Sequence, residues 1–173
     1  MNMILAALTL LASTSHIQIA PLTEPGERLI LTGRVFGTDG RPAGGVEIHA
    51  YHTDAKGLYR SDHYVPQWPA RPARLQGTVR TAADGSYRID TIRPARYPSR
   101  DIPAHIHFHV RAPGMREQGE ILWFSGDPLL TPQMYAKHSH DGTFSQIRPL
   151  EKGSDGAWHC TRDFRLGRAS GDE

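Results

Sequence analysis

A chain of 173 residues, 38% of them hydrophobic, is long enough for one domain with a sizeable core. Its 20 Lys and Arg are interleaved with 18 Asp and Glu, for a net charge of +2, so no basic surface for nucleic acid is expected. No run approaches the roughly 18 apolar residues of a membrane span, and the single cysteine, Cys160, excludes an intrachain disulfide and cysteine-based zinc sites.

The opening MNMILAALTLLASTSH has an apolar run at residues 4–12, followed by the small residues Ala12, Ser13, Thr14 and Ser15. That is the make-up of an export leader with a cleavage site, although the first basic residue is Arg28. Residues 1–15 are therefore read as a signal peptide, which predicts a periplasmic or secreted protein with no membrane contact in its mature form. The alternative is a short helix packed on the domain of a cytoplasmic protein. Residues 16–28, containing IAPLTEPGE, read as a linker, and 29–173 as one domain.

Strands are predicted at RLILTGRVF and VEIHAYHT, separated by the turn-rich GTDGRPAGGV. Asp39-Gly40 and Asp84-Gly85 each lie between alternating segments, a strong hairpin signal, so LQGTVRTAADGSYRIDTI reads as a complete hairpin. A strand in PAHIHFHV, the break APGMREQGE and a strand in ILWFSGDP follow. Residues 129–157 are rich in turn residues and read as a long excursion, and AWHCTRDFRL as a closing strand. No stretch beyond the N-terminal segment sustains a helical period. Short strands with such breaks predict an all-β fold, a β-sandwich with long loops.

The stretch YPSRDIPAHIHFHV places His105, His107 and His109 at alternate positions. On a strand they leave one face about 6.6 Å apart in succession, while Ile106, Phe108 and Val110 fill the other. Imidazole is the commonest metal-ligand side chain, yet exposed alternating histidines alone are a weak metal signal. Two tyrosines stand near by in sequence or motif: Tyr97, between Pro94 and Pro98, and Tyr59, after the turn Asp-Ala-Lys-Gly. An ordinary tyrosine, such as Tyr87 or Tyr135, is expected to be a half-buried aromatic with its hydroxyl on a backbone carbonyl.

Taken together, GRVFGTDGRPAGGVEIHAYHTDAKGLYR, TAADGSYRIDTIRPARYP and PAHIHFHVRAPG resemble the intradiol ring-cleavage dioxygenases, which include catechol 1,2-dioxygenase and protocatechuate 3,4-dioxygenase. The likeness runs in order from about residue 29 to 128, where FSGDP also resembles a family segment. It implies a prealbumin-like β-sandwich and a non-haem ferric ion held by Tyr59, Tyr97, His105 and His107, with His109 a bystander. It further implies a catechol-type substrate and O2 as partners, ring opening between the two hydroxyl-bearing carbons, and a muconate-type diacid as product. A homo-oligomer is compatible with this. Ferric iron suits these residue types, since a bound cation draws a tyrosine hydroxyl to the phenolate far below its free pKa near 10.

Two positions depart from the family pattern. Ile102 stands where an Arg precedes the first ligand histidine, and Ile121 where a Gln is expected in the next strand. In the family these polar groups stabilise charge developing on the ring. Arg100, in the short connection before His105, is a candidate substitute. Two other readings compete: a non-catalytic prealbumin-like binding or structural module, and a zinc site of His105, His107 and His109. The outer two of those histidines lie about 13 Å apart at Cα, too far to converge easily on one tetrahedral ion.

Overall fold

The computed structural model describes residues 15–60 and 73–167. All but the last residue of the segment read as an export leader lies outside them. Two sheets face each other across one core. The first has the order β1 (His16–Gln18), β5 (Ser86–Ile92), β2 (Arg28–Phe36), β10 (Trp158–Thr161) and β9 (Glu151–Lys152), with β11 (Phe164–Arg165) also paired to β2. The second runs β4 (Leu75–Arg80), β3 (Glu47–His52), β6 (His105–Arg111), β7 (Gln118–Phe124) and β8 (Ile147–Arg148). This is the expected all-β sandwich.

Period-two alternation builds the core. Ile48 and Ala50 on β3, Ile106, Phe108 and Val110 on β6, and Leu122 and Phe124 on β7 point inward to meet Leu29 and Leu31 of β2 and Ile89 of β5. Each such burial contributes about 1.5–3 kcal/mol, enough to fix the register of β6. A one-residue slip would put its histidines in the core. Register thus places His105, His107 and His109 on the outer face of the second sheet. There they lie opposite Trp123, Ile121 and Gly119 of β7, and His107 and His109 also face Tyr51 and His49 of β3.

Three local expectations are corrected. The segment containing Asp84-Gly85 is not a hairpin, since β4 pairs with β3 and β5 with β2, in opposite sheets. Its turn is tight nonetheless: Ala82 N donates to Ser86 O at 2.9 Å, and Gly85 has φ +76°. The Asp39-Gly40 turn likewise passes from β2 to β3 across the sandwich, after a single bridge between Phe36 and Pro42. A turn motif reports that the chain reverses, while burial of each strand's apolar face decides which sheet it joins. The stretch expected to be a linker begins with β1, paired in parallel to β5, with Ile17 opposite Ile89. Three residues are too few to show a period. The excursion after residue 129 holds a short helix, α1 (Pro132–His138), capped by the Thr131 side chain on Met134 N, with Pro at its start. Thr-Pro is a helix-start signal that was present in the sequence.

Of the two ordinary tyrosines, Tyr87 places its hydroxyl on a backbone carbonyl as expected, while Tyr135 takes a backbone amide instead. Tyr87 is buried and donates to Arg162 O at 2.6 Å, and Tyr135 of α1 accepts from Gly126 N. Cys160 is a buried free thiol.

His52, fully buried at the end of β3, links the two sheets. Its Nδ1 donates to Thr53 O at 2.7 Å, and its Nε2 accepts from the Thr91 hydroxyl of β5 at 2.7 Å. Burial pushes its pKa down to about 4. Because the unfolded chain titrates near 6.5 and the folded one near 4, unfolding takes up a proton between those values. The stability involved is complete above about pH 6.5 and is lost as pH falls toward 4, to a total of about 3 kcal/mol. Urea unfolding across that range should show the loss, and His52→Gln should flatten part of it. The buried His105 and half-buried His107 act in the same direction and keep the remainder.

Candidate metal centre

Two loops and one strand bring the site together. Tyr59 follows a turn organised by Asp54, whose Oδ1 accepts from Lys56 N at 2.8 Å and Leu58 N at 3.0 Å. Asp54 N donates to Leu58 O, closing the turn, and Gly57 takes φ +81°. Gly57 is required on space as well as conformation. A Cβ there would stand 1.9 Å from Arg96 O and 3.1 Å from Pro98 Cδ, on the segment that carries Tyr97. The Asp-x-x-Gly-x-Tyr spacing therefore lets one tyrosine loop lie against the other. Ala95 N to Asp54 O and the Thr53 hydroxyl to Ala95 O tie the two together.

The outcome is a line of close polar contacts. Tyr59 Oη and Tyr97 Oη are 2.6 Å apart, Tyr97 Oη and His105 Nε2 3.0 Å, and His105 Nε2 and His107 Nε2 3.0 Å. His105 Nδ1 lies 2.7 Å from Pro103 O. A carbonyl only accepts, so the ring proton sits on Nδ1 and the Nε2 lone pair faces the other three atoms. Burial pushes both histidines down, His107 to about 3 with further help from His105 and His109, so both are neutral imidazoles. Every sequence-predicted site residue is thus in this cluster.

Two oxygens that can become phenolate and two neutral imidazoles are a donor set suited to ferric iron. Among the described residues no group of three or more His, Cys, Asp or Glu is placed to hold an ion. The three-histidine zinc reading therefore has no support. His109 is instead engaged by Glu117, 2.5 Å from Nδ1, and its ring lies 5.9 Å from that of Tyr51.

Sequence reasoning missed two supporting residues. Asp127, in the FSGDP segment, accepts from Ala104 N at 3.0 Å and from Leu129 N at 3.0 Å, clipping the loop that leads into His105. Its position before Pro128 hinted at a turn but not at its partner. Tyr51 stacks on His107, with centroids 4.8 Å apart and planes at 12°. Burial and the nearby Tyr97 push its hydroxyl pKa up to about 12, so it stays protonated. The register opposite His107 identifies it only once β3 and β6 are known to pair.

Of the two departures, Ile121 falls beside the cluster and Ile102 in the loop before β6. Ile121 lies directly across from His107 on the shared face, next to Trp123 opposite His105. Ile102 is half-buried, its amide donating to Arg100 O at 2.9 Å, while Arg100 is exposed.

Replacing Gly57 by valine should separate the two tyrosine loops. A left-handed φ and a backbone clash of this kind cost about 1–3 kcal/mol or more. The thermal midpoint should fall, and the variant should retain little bound metal at a concentration that saturates the wild type. Unchanged metal retention would contradict the role given to this turn.

A two-sheet sandwich that gathers two tyrosines and two histidines in one line of contacts belongs to the all-β class and carries a donor set at one place on its second sheet. Comparison with known proteins gives its family. The family model Dioxygenase_C, described as dioxygenase, matches residues 7–167, and the chain belongs to the intradiol ring-cleavage dioxygenase family. It is 31% identical over 164 residues to catechol 1,2-dioxygenase 2 of Acinetobacter lwoffii, covering 84% of this chain and 58% of that protein. A solved dioxygenase domain, from a dioxygenase–carbohydrate-binding fusion protein of Streptomyces sp. SirexAA-E, superposes with a TM-score of 0.66 at 27% identity, covering 88% of this chain and 87% of that one. Catechol 1,2-dioxygenase from Pseudomonas arvilla C-1 shares the fold, with a TM-score of 0.70 at 24% identity over 92% of this chain and 58% of that one. The chain spans between 38% and 58% of the length of the first curated relatives it matches.

Proposed function

We propose that this protein is an intradiol dioxygenase that opens a catechol-type ring between its two hydroxyl-bearing carbons. Substrate and one O2 combine into a muconate-type diacid, so both oxygen atoms enter the product and nothing else is consumed. Family membership supports the reaction type. The observation that carries the assignment to this chain is the line Tyr59, Tyr97, His105, His107, each within hydrogen-bond distance of the next.

These four residues would hold a non-haem ferric ion, which when bound supplies the Lewis-acid and redox chemistry that lets a catechol react with dioxygen. The chain supplies orientation, proton handling and exclusion of water. Tyr97 is assigned the proton. It sits on the loop between two prolines and, as phenolate, takes a proton at Oη from a substrate hydroxyl. Tyr59, held by the Asp54 turn, keeps its place throughout. The neutral imidazoles of His105 and His107 compete for no substrate proton. Ile121 and Trp123, across from His107 and His105, would offer apolar surface to the ring.

The test is product analysis with iron-loaded protein, catechol and isotopically labelled dioxygen. The expected product is a diacid heavier than catechol by one O2, with label in both new carboxyl groups. A product bearing an aldehyde, or none from any of several catechols, would overturn the assignment.

A further inference from the structure

The turn that presents Tyr59 is held by a part of the chain outside the motifs. Arg74, the residue before β4, donates its backbone N–H to Tyr59 O at 2.7 Å. Its guanidinium places two nitrogens on the Glu24 carboxylate, at 2.6 and 2.7 Å, and Nη2 lies 3.5 Å from Asp54 Oδ2. The other Asp54 oxygen is the acceptor that organises the Tyr59 turn. One arginine thus joins Tyr59, Asp54 and Glu24.

Glu24 lies in the connection between β1 and β2, its amide donating to Pro21 O at 3.0 Å. Its side chain is only 8% exposed, against 39% for Arg74, so the carboxylate is the enclosed half of the pair. Two residues on, Gly26 packs so closely that a Cβ there would stand 3.0 Å from Ile92 and 3.2 Å from Ala55. Ala55 belongs to the Tyr59 turn itself. The connection is therefore laid along that turn, and a planar two-point contact between carboxylate and guanidinium fixes direction as well as distance.

We infer that Glu24 is a positioning residue for Tyr59, acting through Arg74 to set where Tyr59 Oη stands against Tyr97 and so to tune the bond from that oxygen to the metal. Only the last part rests on the proposed metal reading. An ion pair with one half this exposed contributes little to global stability. Its removal should be felt at Tyr59 rather than across the fold.

The experiment uses the full chain with Glu24→Ala and Glu24→Asp. In metal-free protein, ring signals of specifically labelled tyrosines should move for Tyr59 and Tyr97 in the alanine variant, with Tyr87 and Tyr135 unchanged. After iron loading, competition with a chelator should show about tenfold weaker retention. The visible phenolate-to-iron band should shift, and Glu24→Asp should restore most of both. A lowered thermal midpoint with Tyr59 signals and iron retention unchanged would overturn the inference, as would equal movement of all four tyrosines. Should Glu24→Ala fail to fold, Glu24→Gln gives the same readings. If wild-type protein takes up no iron, the metal reading fails on its own, and the metal-free tyrosine signals still decide whether Glu24 positions Tyr59.

Discussion

Alanine at His105 or His107 should remove most of the bound iron, whereas alanine at His109 should leave it in place. All three side chains leave the same face of β6, and none lies in the core cluster, so the sandwich survives each change. What separates them is the direction of the ring nitrogens. His105 and His107 bring Nε2 atoms to within 3.0 Å of each other beside Tyr97, while His109 is turned to Glu117. A group that only supports a ligand is worth about 10–100-fold in metal affinity, so deleting a ligand itself costs more than that. Iron-to-protein ratios after gel filtration check this. Loss of iron from His109→Ala with retention in His105→Ala would show that the register of the site on this strand is misassigned.

Plain catechol should be turned over slowly, and alkyl-substituted or electron-rich catechols should be preferred to protocatechuate. Ile121 stands across from His107, and Ile102 lies at the entry to β6, where a Gln and an Arg would supply polar hydrogens to the ring. Removing one preorganised donor of that type costs about 2.7–4 kcal/mol of transition-state stabilisation, or about 100- to 1,000-fold in rate. An electron-rich ring needs less of that help, and an alkyl group gains from burial against the isoleucines, at about 0.8 kcal/mol per methylene. A carboxylate gains nothing from either residue. The check is a set of kcat/KM values for catechol, alkylcatechols, hydroxyquinol and protocatechuate, with Ile121→Gln and Arg100→Ala alongside. Ile121→Gln should raise the value for plain catechol and leave the alkyl preference smaller. Fast, protocatechuate-selective turnover unaffected by Arg100→Ala would contradict this reading of how charge is handled.

The site was more legible in the sequence than the sheet connectivity. His105 and His107 were readable because a strand's period of two is strict, and Phe108 and its neighbours forced one face inward. Tyr59 and Tyr97 were readable only through the family resemblance of the motifs that hold them, and the closeness of their loops at Gly57 shows in the structure alone. Strand pairing leaves no such mark. The Asp84-Gly85 turn looks the same whether it closes a hairpin or carries the chain to the opposite sheet, and only the pairing of β4 with β3 and β5 with β2 shows the second. Asp127 and Glu24 were invisible for a related reason. Each acts on a residue far along the chain, Asp127 on Ala104 and Glu24 on Arg74, and a lone carboxylate in a loop carries no record of its partner.

The central claim is that Tyr59 and Tyr97 bind a ferric ion as phenolates together with His105 and His107, and the visible absorption spectrum of iron-loaded protein tests it most directly. Phenolate-to-ferric charge transfer should colour the protein wine-red. The band should bleach on reduction, shift when catechol is added, and weaken in Tyr59→Phe and Tyr97→Phe. A colourless protein that carries stoichiometric ferric iron would contradict the account.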